Sequence, residues 1–339
     1  MSGHRIAFNF EDGVTHFAEA EDGENMVDAA YRSGINIPMD CRDGVCGTCK
    51  ARLVSGVTKD TDQLGILDEA EIAAGCFLPC QYRVDADCVV DLAVESIACS
   101  KKPVASVAVH IVSAEKIGAS VYKLRLAGAA LNRFDFLPGQ YANLYVPDTT
   151  EKRAYSFANV AADGDLEFLV REIPGGVMSR FLAERARVGQ VMELEGPFGS
   201  FYLRGRSRRI VFIAGGTGLA PILSMLKSIA TQADKSAYSL TVLYGARQAS
   251  DLVEISTLQQ FAEQGFEFQF QTIAETGNSD SAQPSGYVTQ LLSPELFSRG
   301  DVDIYLCGPP PMVDSTLAWM KAHACHPREI HYERFAPAE

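Results

Sequence analysis

The chain has 339 residues, 47% of them hydrophobic and 22% charged, and a formal net charge of −13. This is the composition of a globular protein with room for two or three domains, and because no apolar run reaches the ~18 residues of a membrane span, we expect no membrane partner. Residues 1–99 contain 18 acidic and seven basic side chains, a balance of −11, which argues against nucleic acid and leaves two roles open: a docking face for a basic protein, or simple solubility.

The amino terminus and the cysteine content indicate a compartment. The stretch MSGHRIAFNF has no basic flank followed by an apolar core, so we read no secretory signal and expect a cytoplasmic protein. Nine cysteines occur in the chain. Because cytosolic thiols are kept reduced, they indicate metal or redox use rather than disulfides.

The first third of the chain predicts a small domain of strands and one helix. The alternating runs RIAFNF and VTHFAEA flank EDG, a hairpin signal, and GENMVDAAYRSG predicts an amphipathic helix that ends at Gly34. After the cysteine-rich loop CRDGVCGTC come the strands CKARLVSG and DADCVVDLAV. We place this domain at residues 1–98, followed by the linker CSKKPV.

The rest of the chain contains two further segments, each with its own pattern of strands and helices. Over 99–206 the short runs SVYKLRLAG, GQYANLYVP, LEFLVREI and QVMELEGPFGSF, with one helix, VMSRFLAERA, predict a small antiparallel barrel. Over 207–339 the buried runs IVFIAG, SLTVLYGA, FEFQFQTI and DVDIYLCG alternate with helices such as APILSMLKSIATQ and PPMVDSTLAWMKAHA, which predicts a parallel sheet covered by helices. We interpret RGRSRR, between them, as a solvated turn rather than a nucleic-acid contact. The fold class is thus multidomain, α+β and α/β.

Four cysteines have the spacing of an iron–sulfur site. Cys41, Cys46 and Cys49 follow the pattern C-x4-C-x2-C, and Cys80 comes later in LPCQ; this is the plant-type pattern for a [2Fe–2S] cluster, whose two irons need four thiolates. Two glycines in the loop permit positive φ and bring N–H groups near the sulfurs. Structural zinc on Cys46, Cys49, Cys76 and Cys80 is the alternative, although it leaves Cys41 unused.

The stretch from residue 4 to 97 resembles the plant-type ferredoxins in its helix, its cysteine loop and its distant LPCQ. The resemblance implies a β-grasp domain in which Cys41, Cys46, Cys49 and Cys80 hold the cluster. Cys76, Cys88 and Cys99 are then small buried or unreactive side chains.

A second set of candidate residues begins with RAYS at 153–156. An arginine neutralises a phosphate, a tyrosine stacks on a flat ring, and a serine hydroxyl reaches a ring nitrogen. Further along, GGVMSRFL opens a helix whose glycines and first N–H groups suit a pyrophosphate.

In this order inside a predicted barrel, the two motifs resemble the ferredoxin–NADP reductase superfamily, in which they bind FAD. The resemblance implies that Arg153 contacts the FAD phosphates, Tyr155 packs on the isoalloxazine and Ser156 bonds near its reactive nitrogen. Alternatively, Tyr155 is an ordinary barrel aromatic. The remaining candidate of the first motif is Ala154. The candidates of the second motif, which would hold the pyrophosphate, are Gly176, Val177, Met178 and Ser179.

The third set of candidate residues lies in three turns. GGTGLAP at 215–221 lies between a strand and a helix that we expect to begin at Pro221, while YGAR and CGPPPM each end a strand. The carboxyl ends of parallel strands share one sheet edge, so these turns should converge and let a planar ligand approach the backbone.

The turns resemble the NAD(P)H-binding signatures of the same superfamily. The resemblance places Cys307 beside the nicotinamide and Asp251 at the adenosine ribose. An aspartate there would bond the 2′-hydroxyl and repel a 2′-phosphate, which favours NADH over NADPH; the alternative is that Asp251 caps a helix. The other implied cofactor contacts are Gly216, Thr217, Gly218, Arg247, Gly308 and Pro309.

The C-terminal HYERF resembles the ending of that superfamily. It implies that Phe335 shields the flavin and that Glu333 lies near the hydride path, so that Ser156, Cys307 and Glu333 form the catalytic set. The sequence departs from the plant relatives by having Phe335 where they have tyrosine and by continuing with APAE. HACH, at 323–326, contains metal-ligand types on a predicted helix, but no partner cluster, so we do not expect zinc there.

The order of modules resembles the reductase components of bacterial aromatic-ring dioxygenases, of the benzoate or toluate type. It implies an oxidoreductase that passes electrons from NADH to FAD, to [2Fe–2S], and to the Rieske centre of a separate oxygenase. Two alternatives remain: the reductase of a soluble di-iron monooxygenase, and a non-catalytic redox sensor.

Overall fold

The computed structural model describes residues 3–39, 44, 47–56, 66–67, 69–100, 105–204, 207–263, 267–276, 285–297 and 301–335. The chain divides into two compact units, Met1–Val104 with Phe198–Ser200, and Ala105–Pro197 with Phe201–Glu339. The domain limits at residues 98 and 206 stay predictions. No helix in the described ranges has the length and apolar character needed to cross a membrane.

The first unit is built on a five-stranded mixed sheet, in which the predicted hairpin is confirmed. Its two strands pair antiparallel, with Ile6 opposite Ala18, and the first also pairs parallel with the last strand of the unit. The predicted helix is confirmed too: the Asn25 side chain accepts the Val27 N–H at its start, and Gly34 ends it at a φ of +89°. The elements are β1 Gly3–Phe10, β2 Thr15–Glu21, α1 Met26–Arg32, β3 Ala51–Ser55, α2 Glu69–Ala73, β4 Cys76–Phe77, β5 Cys88–Leu92 and α3 Ser96–Cys99, with the sheet order β2-β1-β5-β3-β4.

The second unit begins with the predicted antiparallel barrel. A bridge between Phe157 and Phe168 joins the two outermost strands of the six-stranded sheet and closes it around a core in which Phe136 stacks on Phe157 with ring centroids 3.8 Å apart. The elements are β6 Ala105–Lys116, β7 Val121–Ala127, β8 Tyr141–Tyr145, β9 Lys152–Ser156, β10 Leu166–Arg171, α4 Val177–Arg180, a π-helical turn Phe181–Arg185 and β11 Val191–Phe198, in the order β10-β7-β6-β11-β8-β9.

A five-stranded parallel sheet completes the unit, as predicted. Its three central strands are almost continuously buried because helices cover both faces. The elements are β12 Arg209–Gly215, α5 Leu219–Ala230, β13 Ser239–Gln248, α6 Ile255–Phe261, β14 Glu267–Thr276, β15 Val302–Gly308, α7 Pro310–Ala322 and β16 Glu329–Arg334, in the order β14-β13-β12-β15-β16.

Two helix limits correct the sequence predictions. Helix α5 begins at Leu219, two residues before Pro221, directly after a 3-10 turn; proline is tolerated at this third position because first-turn N–H groups have no intrahelical partner. Helix α7 ends at Ala322, so HACH follows the helix instead of lying on it.

Candidate functional site

The sulfur site of the first unit lies between the start of β3 and a 3-10 turn. Of the four predicted ligands, Cys49 and Cys80 are described, whereas Cys41 and Cys46 lie outside the described residues. The pKa of the Cys80 thiol is lowered to about 6, chiefly by its hydrogen bond with Cys49 and further by donors from Gln81 and the Gly44 backbone, against the opposing effect of burial. Paired sulfurs surrounded by N–H donors suit thiolate ligation of a cluster.

Gly44 is the backbone position that this site requires. It has a φ of +76°, and a Cβ there would lie 2.9 Å from the Gln81 side chain. Any other residue would be strained and would push aside a side chain that donates to Cys80.

The flavin candidates of the first motif lie on β9, which follows β8 and a turn. Ser156 is buried, and Tyr155 is half-buried against the barrel core, where burial raises its pKa well above the usual range. Arg153 is ion-paired with the exposed Glu151 at 2.7 Å, a weak pair that a phosphate can replace. Ala154 pairs with Asn143 of β8.

The second flavin motif forms an anion cradle at the start of α4. Gly176 donates its N–H to the Ile173 carbonyl at 2.9 Å, and the Ser179 hydroxyl accepts the Ile173 N–H at 2.8 Å, so the preceding turn folds back over the helix start. A cavity of about 660 Å³ opens there, lined also by Arg171 and Arg180. The first N–H groups of the turn-and-helix segment, with two guanidinium groups, suit a pyrophosphate.

The three glycine-containing turns converge, as predicted. The ends of β12, β13 and β15 line one cavity of about 470 Å³, which Gly216, Thr217, Arg247 and Pro309 face. Gly218 does not line it; a Cβ on Gly218 would collide with the Cys307 carbonyl oxygen, so this glycine lets two turns of the sheet edge touch. Such an edge admits a flat dinucleotide against the backbone.

The catalytic candidates of the sheet lie on its neighbouring strands β15 and β16. Cys307 and Glu333 occupy paired positions, with Sγ 4.0 Å from Oε2. Cys307 is fully buried, and burial, followed by the charge of Glu333, raises its pKa. Phe335 donates its backbone N–H to the Gly308 carbonyl at 2.9 Å. The structure therefore brings Cys307, Glu333 and Phe335 together, while Ser156 lies on the barrel.

Asp251 has a partner that the sequence did not reveal. Its two carboxylate oxygens accept the N–H and the hydroxyl of Ser120, each at 2.7 Å, and its residue is 7% exposed. Ser120 lies in the β6–β7 turn, 131 positions away in sequence, so no local motif marks it. The alternative role of helix cap is wrong, because α6 begins after Glu254.

This combination of fold and sites defines a class of oxidoreductase that moves electrons among a dinucleotide, a flavin and an iron–sulfur centre. Family models agree along the chain: a 2Fe-2S iron-sulfur cluster binding domain matches residues 9–85, an oxidoreductase FAD-binding domain 108–202 and an oxidoreductase NAD-binding domain 212–317. Each match lies inside one of the three predicted domains.

Relatives that match over nearly the whole chain show which family within this class the protein belongs to. The chain is 44% identical to the toluate 1,2-dioxygenase electron transfer component of Pseudomonas putida and 41% identical to the 2-halobenzoate 1,2-dioxygenase electron transfer component of Burkholderia cepacia, with 98% of each chain covered. The solved structure of Amycolatopsis cytochrome P450 reductase matches with a TM-score of 0.70 at 29% identity, over 98% of this chain and 100% of that one. The chain belongs to the family of dioxygenase electron transfer components.

The predicted resemblance, fold class and cofactors are therefore confirmed: the protein is an oxidoreductase that uses a [2Fe–2S] cluster, FAD and NADH. Structural zinc on the cysteine loop is wrong, because the matched domain binds an iron–sulfur cluster. The individual site residues stay predictions.

Proposed function

We propose that the protein is the NADH-dependent reductase of an aromatic-ring 1,2-dioxygenase of the benzoate type. Its electron acceptor is the Rieske centre of a separate oxygenase component. The observation that carries this proposal is the likeness to the toluate and 2-halobenzoate components over all three domains, at 44% and 41% identity.

In this proposal, some of the site residues bind the cofactors and others position them for electron transfer. A bound flavin takes an electron pair as hydride and releases single electrons, the only kind that a [2Fe–2S] cluster carries. Arg153 and the cradle at Gly176 hold the flavin phosphates, and the glycine-lined edge of the sheet holds the dinucleotide. Cys307 and Glu333 position the nicotinamide end of the dinucleotide.

Ser156 is proposed to donate its hydroxyl to the flavin from the barrel side, and Cys41, Cys46, Cys49 and Cys80 to hold the cluster. We further propose a cytoplasmic location. NADH is supplied there, and cytosolic thiols stay reduced, as ligation by these cysteines requires.

The first test is the absorption spectrum of the purified protein, recorded anaerobically before and after NADH. We expect flavin and iron–sulfur bands that both bleach. A colourless preparation, or a yellow one without iron and sulfide after reconstitution, would contradict the proposal.

The second test compares acceptors. We expect fast turnover with a purified benzoate-type oxygenase and little with a di-iron hydroxylase; the reverse would favour the monooxygenase alternative. Rapid reduction of cytochrome c or ferricyanide by NADH would exclude the redox sensor.

A further inference from the structure

The loop between β13 and α6, residues 249–254, is fixed to the parallel sheet. The buried Tyr244 of β13 donates its hydroxyl to the Asp251 carbonyl at 3.1 Å and accepts the Val253 N–H at 3.3 Å. The loop ends at Glu254, which has a φ of +57°, a left-handed conformation that persists in a residue with a side chain only where its surroundings hold it. The position of the loop is therefore set by the sheet.

The barrel binds the same loop at two positions, three residues apart. The two carboxylate oxygens of Asp251 accept the N–H and the hydroxyl of Ser120, each at 2.7 Å. Lys123 of β7 donates to Glu254 Oε1 at 3.1 Å, and these side chains are only 25% and 11% exposed. Since both contacts are partly or largely shielded from water, salt screens them less than it screens surface pairs.

The β6–β7 turn that contains Ser120 also packs closely on this loop. A Cβ on Gly118 would lie 2.9 Å from the Val253 side chain and 3.0 Å from the Ser250 carbonyl oxygen. The Ala119 N–H donates to the same carbonyl at 3.2 Å. The turn therefore has no space to move towards the loop, and hydrogen bonds prevent it from moving away.

Ser120 and Asp251 lie where the two cavities of the second unit meet. Both residues line the cavity of about 470 Å³ at the sheet edge and the cavity of about 660 Å³ at the start of α4. In the proposed function the first cavity receives the dinucleotide and the second receives the flavin phosphates. Hydride transfer requires reacting atoms about 3–3.5 Å apart, so a small displacement between the two sites lowers its rate strongly.

We propose that Asp251 and Ser120 are positioning residues, which set the distance and angle between the dinucleotide site of the sheet and the flavin site of the barrel. Glu254 and Lys123 support the same contact. This inference deepens the proposed function, on which it rests, and it gives Asp251 a role other than contact with the ribose. Asp251 acts on the hydride step through Ser120 and the β6–β7 turn, without touching the reacting atoms.

The test measures anaerobic reduction of the flavin by NADH in the full-length holoprotein, by stopped flow over a range of NADH concentrations. Asp251→Ala removes both acceptors, so the limiting rate should fall about tenfold, while the NADH concentration that gives half of it should change less than about twofold. Ser120→Ala removes the hydroxyl only, and its limiting rate should fall about threefold. Asp251→Asn keeps an acceptor for the N–H and a polar partner for the hydroxyl, so it should retain most of the rate.

The first unit offers a matched control. Asp12 also accepts the N–H and the hydroxyl of one serine, Ser96, but it lines neither cavity. Asp12→Ala should therefore leave the limiting rate and the half-saturating NADH concentration unchanged. Hydrogen exchange gives a readout that needs no electron transfer: the Ser120 amide should exchange at least about tenfold faster in Asp251→Ala and at the wild-type rate in Asp12→Ala.

The double variant Ser120→Ala with Asp251→Ala should be no slower than Asp251→Ala alone, because both substitutions remove the same contact. The inference is overturned if Asp251→Ala lowers only the thermal midpoint, or if it raises the half-saturating NADH concentration with the limiting rate intact. It is also overturned if the two single effects add, or if exchange of the Ser120 amide does not change.

If Asp251→Ala does not fold, Ser120→Ala decides, since it removes one hydroxyl, and an unchanged limiting rate in that variant overturns the inference. Failure of the wild-type flavin to bleach with NADH would contradict the proposed function instead.

Discussion

At the scale of single residues, cysteines in one small unit have opposite chemistry because their neighbours differ. Donors from Cys49, Gln81 and Gly44 lower the pKa of Cys80 to about 6. Burial, followed by the nearby aspartates, raises the pKa of Cys88 to about 11. Only the first environment supplies a thiolate near neutral pH. The sequence shows which cysteines have the spacing of cluster ligands. The difference between the pKa values of Cys80 and Cys88 depends on neighbours that only the folded chain brings together.

Cys80, a predicted cluster ligand, gives the first prediction. Cys80→Ser should abolish the visible and EPR signals of the cluster, because one iron loses a thiolate, while NADH still bleaches the flavin. The control Cys88→Ser changes a buried cysteine outside the predicted ligand set and should retain the cluster. A cluster that survives in Cys80→Ser would implicate Cys76 instead.

Cys307 gives the second prediction. Its alanine variant loses the sulfur that lies 4.0 Å from Glu333 Oε2, so the nicotinamide should be held less accurately and hydride transfer should slow on the order of tenfold. Stopped-flow bleaching of the flavin measures this rate, and the FAD content should be unchanged. Cys325→Ala, in the segment after α7, is the control. An unchanged rate in Cys307→Ala would remove Cys307 from the site.

At the scale of elements, close approach of backbones decides the shape of the dinucleotide edge. Gly218 has a φ of −62°, which any residue adopts, so its conformation does not require glycine. Glycine is required because there is no space for a side chain. A Cβ at this position would collide with the Cys307 carbonyl and lie 3.0 Å from the Gly308 nitrogen.

We therefore expect Gly218→Ala to push the β12 turn away from β15. The cost should be about 1–3 kcal/mol, a fall of roughly 3–10 °C in the midpoint of thermal unfolding, with weaker binding of NADH. The control Gly3→Ala meets only an ordinary contact, 3.6 Å from the Ala20 carbonyl. A variant of Gly218 with an unchanged midpoint and unchanged affinity would show that the turn yields easily.

Elements with one clear period were predictable, and those set by distant contacts were not. The hairpin of β1 and β2, helix α1 and the buried parallel strands follow from alternation, capping and apolar runs. Strand β6 was missed because a bulge between Ile111 and Ser113 shifts its pairing and interrupts the alternation. The bond from Ser120 to Asp251 was also missed, since it joins loops from two predicted domains.

At the scale of the whole molecule, the charge is divided unevenly. Residues 1–99 have a balance of −11, and the remaining 240 have −2. The acidic part is the one that contains the matched 2Fe-2S domain, and therefore the last electron carrier in the proposed order. A field of one sign around the exit point of electrons attracts a basic partner and raises the rate of encounter.

If this field guides docking, electron transfer to the oxygenase should depend on salt. Raising the ionic strength from about 0.01 M to about 0.5 M shortens the Debye length from about 30 Å to less than 5 Å, so the second-order rate constant should fall about tenfold. Stopped-flow oxidation of the reduced protein by the oxygenase measures it. Bleaching of the flavin by saturating NADH is the control, because it is a step within one bound complex and should change little. A transfer rate that stays flat or rises with salt would mean that the acidic residues serve only solubility.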